Sequence, residues 1–184
     1  MSNRYIASVG LLAAITIVLQ LMGSFIKLGT FSVSLVLIPI VVTAALYGKN
    51  AGSFVGFVFG ATVLLSGDAA LFLGVNPIGT FITVLVKGIL AGYLSGLVYE
   101  KLSGKFKVIL SAITCPLVNT GIFLIGCRLF FFDFIKEMAG SSGYDNVLTF
   151  MLLALVGGNF IFELITNVLL SPMVVQIIKI REND

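Results

Sequence analysis

Long apolar runs fill this chain almost from end to end, with short polar connections between them. A helix crossing a bilayer needs about 20 mostly apolar residues, with roughly 17–25 as the normal range. Six runs approach that length: residues 5–26, 31–47, 50–65, 77–99, 106–132 and 147–178. The pattern predicts an all-α polytopic membrane protein, a compact bundle of six transmembrane helices forming one domain over residues 1–184. The second and third runs are short, and Pro172 is expected to kink or loosen the end of the sixth. The first run exceeds the apolar core of a signal peptide, so it is expected to remain as a helix.

Lys87 and Glu163 break the pattern, each in the middle of an apolar run. An ionisable group at bilayer depth is costly, so it faces the bundle interior, pairs, or lines a solute path. Each has polar company on its own helical face. Asn76, Thr80, Thr83 and Lys87 follow one another in steps of three and four, and Asn159, Glu163, Asn167 and Ser171 in steps of four. At 1.5 Å per residue, Lys87 lies roughly 15 Å below the start of its helix. Glu163 falls at a similar depth. The fifth run adds Asn119 and Thr120 just after Pro116, and Arg128 near its far end. One reading is a buried Lys87–Glu163 ion pair that locks the bundle. Isolated buried pairs stabilise weakly, however, because desolvation offsets their attraction. The polar residues in excess of the pair point to an outward-opening pocket with convergent polar groups among Phe and Leu walls. Arg128 either joins that pocket or snorkels to the interface.

Glycine recurs every fourth residue at Gly48, Gly52, Gly56 and Gly60, and again at Gly88, Gly92 and Gly96. Small residues at this spacing let helix backbones approach closely in lipid. Tight packing inside this bundle is the expected use, with docking of a partner as the alternative. The first run has its own small residues at Ala7, Gly10, Ala13 and Ala14.

Composition sharpens the class. Of 184 residues 59% are hydrophobic and only 10% charged, and the mean hydropathy is +1.16. The net charge of +3 is no nucleic-acid signal, because the basic residues cluster in short connections. With a cytoplasmic N-terminus, Arg4, Lys49, Lys101, Lys105, Lys107, Lys179 and Arg181 all fall inside, against Lys27 and Lys136 outside. That bias predicts both termini in the cytoplasm. The outer connections 66–76 and 133–146 are long, Gly- and Ser-containing segments that read either as lids or as plain solvated loops.

The absence of histidine removes imidazole metal sites and histidine acid–base chemistry. No carboxylate cluster has metal-ligand spacing, no nucleophile has a visible base, and no phosphate loop occurs. The chain is therefore read as no enzyme, with no metal and no cofactor. Cys115 and Cys127 lie roughly 18 Å apart along one predicted helix, too far for a disulfide.

In order along the chain stand Ser34-Leu35-Val36-Leu37-Ile38-Pro39-Ile40, Tyr47-Gly48, Gly52-Ser53-Phe54-Val55-Gly56, Asn76-Pro77-Ile78-Gly79-Thr80, Lys87-Gly88, and Asn159, Glu163 and Asn167 before Leu170-Ser171-Pro172. With six runs in 184 residues, this series resembles the substrate-binding S components of energy-coupling-factor vitamin transporters. The resemblance implies a membrane subunit, in a bacterial plasma membrane, that captures a small water-soluble vitamin or precursor on its outer side. The subunit then docks on a scaffold (T) subunit driven by two cytoplasmic ATPases. It implies docking through small residues of the first helix, here Ala7, Gly10 and Ala14, and a gate over residues 27–32 with Phe31 as a wall residue. Lys87 and Arg128 together would hold a carboxylate, as in pantothenate, which makes a pantothenate-like ligand the first expectation and a hydroxymethylpyrimidine-like one the second. Glu163 with the asparagines would hold an aminopyrimidine such as a thiamin precursor. A self-contained small channel or secondary transporter is the alternative function.

Overall fold

The computed structural model describes residues 3–23, 27–28, 31–32, 35–104 and 106–183. Four of its helices are long and apolar enough to cross a membrane: α1 (Asn3–Gly23), α5 (Pro77–Lys101), α6 (Lys107–Phe130) and α9 (Gly157–Asn183), the last over its first 24 residues. Two shorter apolar helices, α2 (Leu37–Tyr47) and α3 (Lys49–Leu65), lie between them in the chain. The remaining elements are short: α4 (Ala70–Val75), α7 (Phe132–Ser141) and α8 (Val147–Thr149). Large apolar side chains such as Leu11, Met22, Ile125 and Leu153 stay exposed on the outside of the bundle. This is the arrangement expected where lipid, rather than water, covers the surface.

Two boundaries differ most from the sequence expectation, each for a local reason. The second helix begins at Leu37, not at residue 31, and Phe31–Ser32 instead pairs antiparallel with Lys27–Leu28. Proline fits a helix without cost only in its first turn, and Pro39 occupies that turn of α2. The expected gate over 27–32 therefore holds this small ladder, while residues 29 and 30 and the Phe31 side chain lie outside the described residues. The last expected run is broken: α8 passes into a π-helix over Phe150–Leu155, and α9 starts only at Gly157. Val156 N–H bonds to the Met151 carbonyl at 3.2 Å, one residue further back than α-geometry allows. The Gly157-Gly158 pair that follows is a common place for a helix to break. Pro172, expected to weaken this helix, sits inside α9, which continues to Asn183.

The two glycine ladders face each other. A Cβ on Gly56 would collide with the Gly88 carbonyl, one on Gly92 with the Gly52 carbonyl, and one on Gly96 with the Lys49 backbone. These reciprocal clashes make α3 and α5 an antiparallel pair in backbone contact, so the ladders are spent on packing within the chain. Lys49 Nζ and Glu100 Oε2, 2.8 Å apart, close the end of the same seam. On its other side α5 is clasped to α6. Ser95 Oγ donates to the Ser111 carbonyl at 3.0 Å, and Ser111 Oγ donates to the Ser95 carbonyl at 2.9 Å. Against these helices lies α2, whose residues from Pro39 to Ala45 are all buried. The two cysteines are free and buried in the packing of α6.

Candidate functional site

One half of α5 packs without space, and the other half opens onto a cavity. Asn76 begins the helix as its N-cap, its Oδ1 accepting from Gly79 N–H at 2.9 Å, with Pro77 in the first helical position. Proline costs nothing there, since its missing N–H would have no intrahelical partner. From that fixed start, steps of three and four carry Thr80, Thr83 and Lys87 down one face. Asn119, Thr120 and Phe123 of α6 and Asn159, Phe160 and Glu163 of α9 supply facing walls. The cavity has a volume of about 90 Å³, several times what a single water needs.

Four buried side-chain atoms lack a hydrogen-bond partner among the described residues: Thr83 Oγ1, Asn119 Oδ1, Asn159 Oδ1 and Glu163 Oε2. All four belong to residues lining this one cavity. Buried polar atoms are nearly always satisfied, so water or a solute in this cavity would meet four polar atoms on its walls. The other oxygen of Glu163 accepts from Asn159 Nδ2 at 3.2 Å. Asn167 Nδ2 donates to the Glu163 carbonyl at 2.9 Å, one turn further along. Asn159 thus holds the carboxylate, while Asn167 bonds only the main chain of Glu163.

Lys87 and Glu163 share the cavity without forming an ion pair. The Lys87 ammonium lies 5.3 Å from the centroid of the Phe59 ring and 5.6 Å from that of Phe123. Aromatic faces attract a cation without neutralising it. The cavity therefore presents a positive group and a negative group separately.

Six of the eight residues expected at the site line the cavity: Thr80, Thr83, Lys87, Asn119, Asn159 and Glu163. Asn76 does not, being occupied in capping α5. Arg128 does not either. It is exposed, with its guanidinium 4.1 Å from the centroid of Phe132. Ala7, Gly10 and Ala14, the expected docking residues, are exposed on α1, and nothing lies within 4 Å of a Cβ built on Gly10.

Sequence reasoning did not reach the rim. Gln20, 4% exposed, donates from Nε2 to Asp68 Oδ2 at 2.6 Å, and Ser66 Oγ reaches the same oxygen at 3.2 Å. Both Gln20 and Asp68 line the cavity. Asp68 therefore acts as a wall residue, where the sequence offered only an acidic residue in an outer connection. A glutamine near the end of an apolar helix was the available signal. Phenylalanine walls were expected, but not which phenylalanines would form them. Phe72 of α4 sits edge-on to Phe123, Phe131 and Phe134 at 5.5, 5.0 and 6.2 Å, which packs this short helix over the cavity's side.

A bundle of apolar helices around a cavity with polar groups set among apolar walls is the architecture a membrane-embedded solute-binding protein would need. The family profile described as "ECF transporter, substrate-specific component" matches residues 4–176, and the chain belongs to that family. No curated protein and no solved structure matches it.

Proposed function

We propose that this protein captures a small water-soluble vitamin or vitamin precursor in the cavity between α5, α6 and α9 and delivers it through a membrane scaffold subunit powered by two ATPases. The observation carrying the reading is the set of four unpaired buried polar atoms that three helices bring to one cavity, which Lys87 also lines. In this reading α2 and α3 complete six spans, both termini are cytoplasmic, and the cavity opens outward, in keeping with the lysine and arginine bias of the connections. The protein would act in the plasma membrane of a bacterium and catalyse no reaction itself. The open stripe of Ala7, Gly10 and Ala14 suits close approach of a scaffold helix, since small residues let backbones meet.

The ligand class follows from the charges that reach the cavity. Arg128 stands apart from it, which removes one of the two cations that a pantothenate-like carboxylate would use. Asp68 adds a second carboxylate to Glu163. Two acids, unpaired amide oxygens and several phenyl faces favour a donor-rich flat ring, such as a hydroxymethylpyrimidine-like precursor. The pantothenate-like reading keeps one observation in its favour: the Lys87 ammonium rests on Phe59 and Phe123 rather than on an acid.

Mass spectrometry of ligand carried through purification, followed by thermal-shift titration with both ligand classes, tests the proposal. A stabilising ligand bound without ATP is the expected result. No stabilisation by any vitamin or precursor, or solute flux in liposomes holding this chain alone, would replace capture by the channel or secondary-transporter alternative.

A further inference from the structure

At the opposite end of α5 from the cavity's rim, two ammonium groups converge on one tyrosine. Tyr99 is 8% exposed and stands in the last turns of α5. Its hydroxyl accepts a hydrogen bond from Lys179 Nζ of α9 at 2.6 Å. Lys107 Nζ, from the first residue of α6, lies 4.4 Å from the centroid of the Tyr99 ring, and Lys179 Nζ lies 5.3 Å from it. Three helix ends thus bring two positive charges to a single ring. The ring attracts each cation, but the two repel one another. The neighbouring acid, Glu100, is engaged with Lys49. Among the described residues no carboxylate forms an ion pair with Lys107 or Lys179.

The chemistry of this cluster selects its complement. Having accepted from Lys179, the Tyr99 hydroxyl still has its own proton to donate. Two ammonium groups and one O–H make a set of donors, which suits an acceptor-only anion such as a phosphate. The surroundings are greasy. Phe106 and Leu110, beside Lys107 in the chain, are 71% and 43% exposed, and Ile180, next to Lys179, is 57% exposed. A cationic spot rimmed by exposed apolar side chains matches a molecule with an anionic head and an alkyl tail. The lysine and arginine bias places this end in the cytoplasmic leaflet, where anionic lipids concentrate.

We propose that Tyr99, Lys107 and Lys179 form a binding site for the phosphate of an anionic phospholipid, with its acyl chains against Phe106, Leu110 and Ile180. The site would hold the cytoplasmic ends of α5, α6 and α9 at the membrane surface. It depends on the orientation of the chain and is independent of which solute fills the cavity.

The test is native mass spectrometry of the full chain, purified with phosphatidylglycerol or phosphatidylcholine. Wild-type protein should retain phosphatidylglycerol preferentially, and the preference should fall roughly fivefold for each lysine removed. Lys107→Gln plus Lys179→Gln should abolish it, while Lys101→Gln, an exposed cation outside the cluster, should leave it intact. If the double variant does not fold, each single substitution carries the same expectation. Equal retention by wild type and variants would overturn the site. Full displacement of the lipid by excess inorganic phosphate would assign it to a soluble anion. Unchanged lipid retention with lost scaffold association would assign it to an acidic partner surface. Either outcome would overturn the lipid reading.

Discussion

The two halves of α5 solve opposite problems with the same helical period. From Gly88 to Gly96, small residues every fourth position press the backbone of α5 onto that of α3. From Thr80 to Lys87, polar residues at steps of three and four face a space that no neighbouring helix fills. The first half has no room for a methyl group, and the second has room for a solute. In the proposed reading, helix packing dominates one half of α5 and solute contact the other. Each half should tolerate what the other cannot.

The sharpest break of that contrast is a side chain in the seam. Gly92→Leu would drive its Cβ into the Gly52 carbonyl, in a place where neither backbone can yield. Overpacking in a tight core typically costs 1–3 kcal/mol and sometimes more, and here the obstacle is main chain. The expected outcome is loss of folded protein by size-exclusion chromatography in detergent. Gly121→Ala, where nothing lies within 4 Å of the new carbon, should change the melting temperature little. Normal folding of Gly92→Leu would mean that the helices are not in backbone contact.

Changes in the cavity half should act on binding and spare the fold. Removing one partner of a buried, hydrogen-bonded charged contact costs about 2–5 kcal/mol, which is roughly 30-fold or more in affinity. Glu163→Gln should weaken a donor-rich ligand by that order in isothermal titration, with the melting temperature held or raised. Lys87→Ala should weaken an anionic ligand more than Lys87→Arg does. Equal binding by wild type and Lys87→Ala would return Lys87 to a structural role.

Smaller effects fall at the edges of the comparison. Ser95→Ala breaks the reciprocal clasp to α6. It should cost about 1 kcal/mol, within the range for interhelical hydrogen bonds in membranes, as read by thermal unfolding. Arg128→Ala should be the mildest, with less than about a threefold change in ligand affinity, because the guanidinium is exposed on Phe132 rather than in the cavity. A tenfold loss there would bring Arg128 back into the binding reading and restore the carboxylate ligand to first place.

Helix periodicity made much of this site legible. Thr80, Thr83 and Lys87, like Asn159 and Glu163, could be grouped because residues three and four apart share a face whatever surrounds the helix. The same rule grouped Asn76 with them, and its charge near the end of α6 made Arg128 a candidate, yet neither lines the cavity. Asn76 is captured by the amide of Gly79, and Arg128 sits where α6 faces outward. A face predicts direction, and end effects decide whether a residue near a terminus follows it. Gln20 and Asp68 were illegible for another reason. Their hydrogen bond joins residues 48 positions apart, and no local pattern encodes which connection folds back over which helix.

The amino-acid sequence by itself determined that the chain is a bundle of apolar helices carrying costly charges, because solvent preference and helical spacing are properties of residues and their neighbours. It also determined the glycine ladders, though not their partner. Only the tertiary structure decided that α3 and α5 spend those ladders on each other, that Lys87 and Glu163 share a cavity without pairing, and that α1 and α4 complete its rim. Those outcomes depend on which helices end up adjacent and in what register, and that choice is made by packing many segments at once rather than by any one of them.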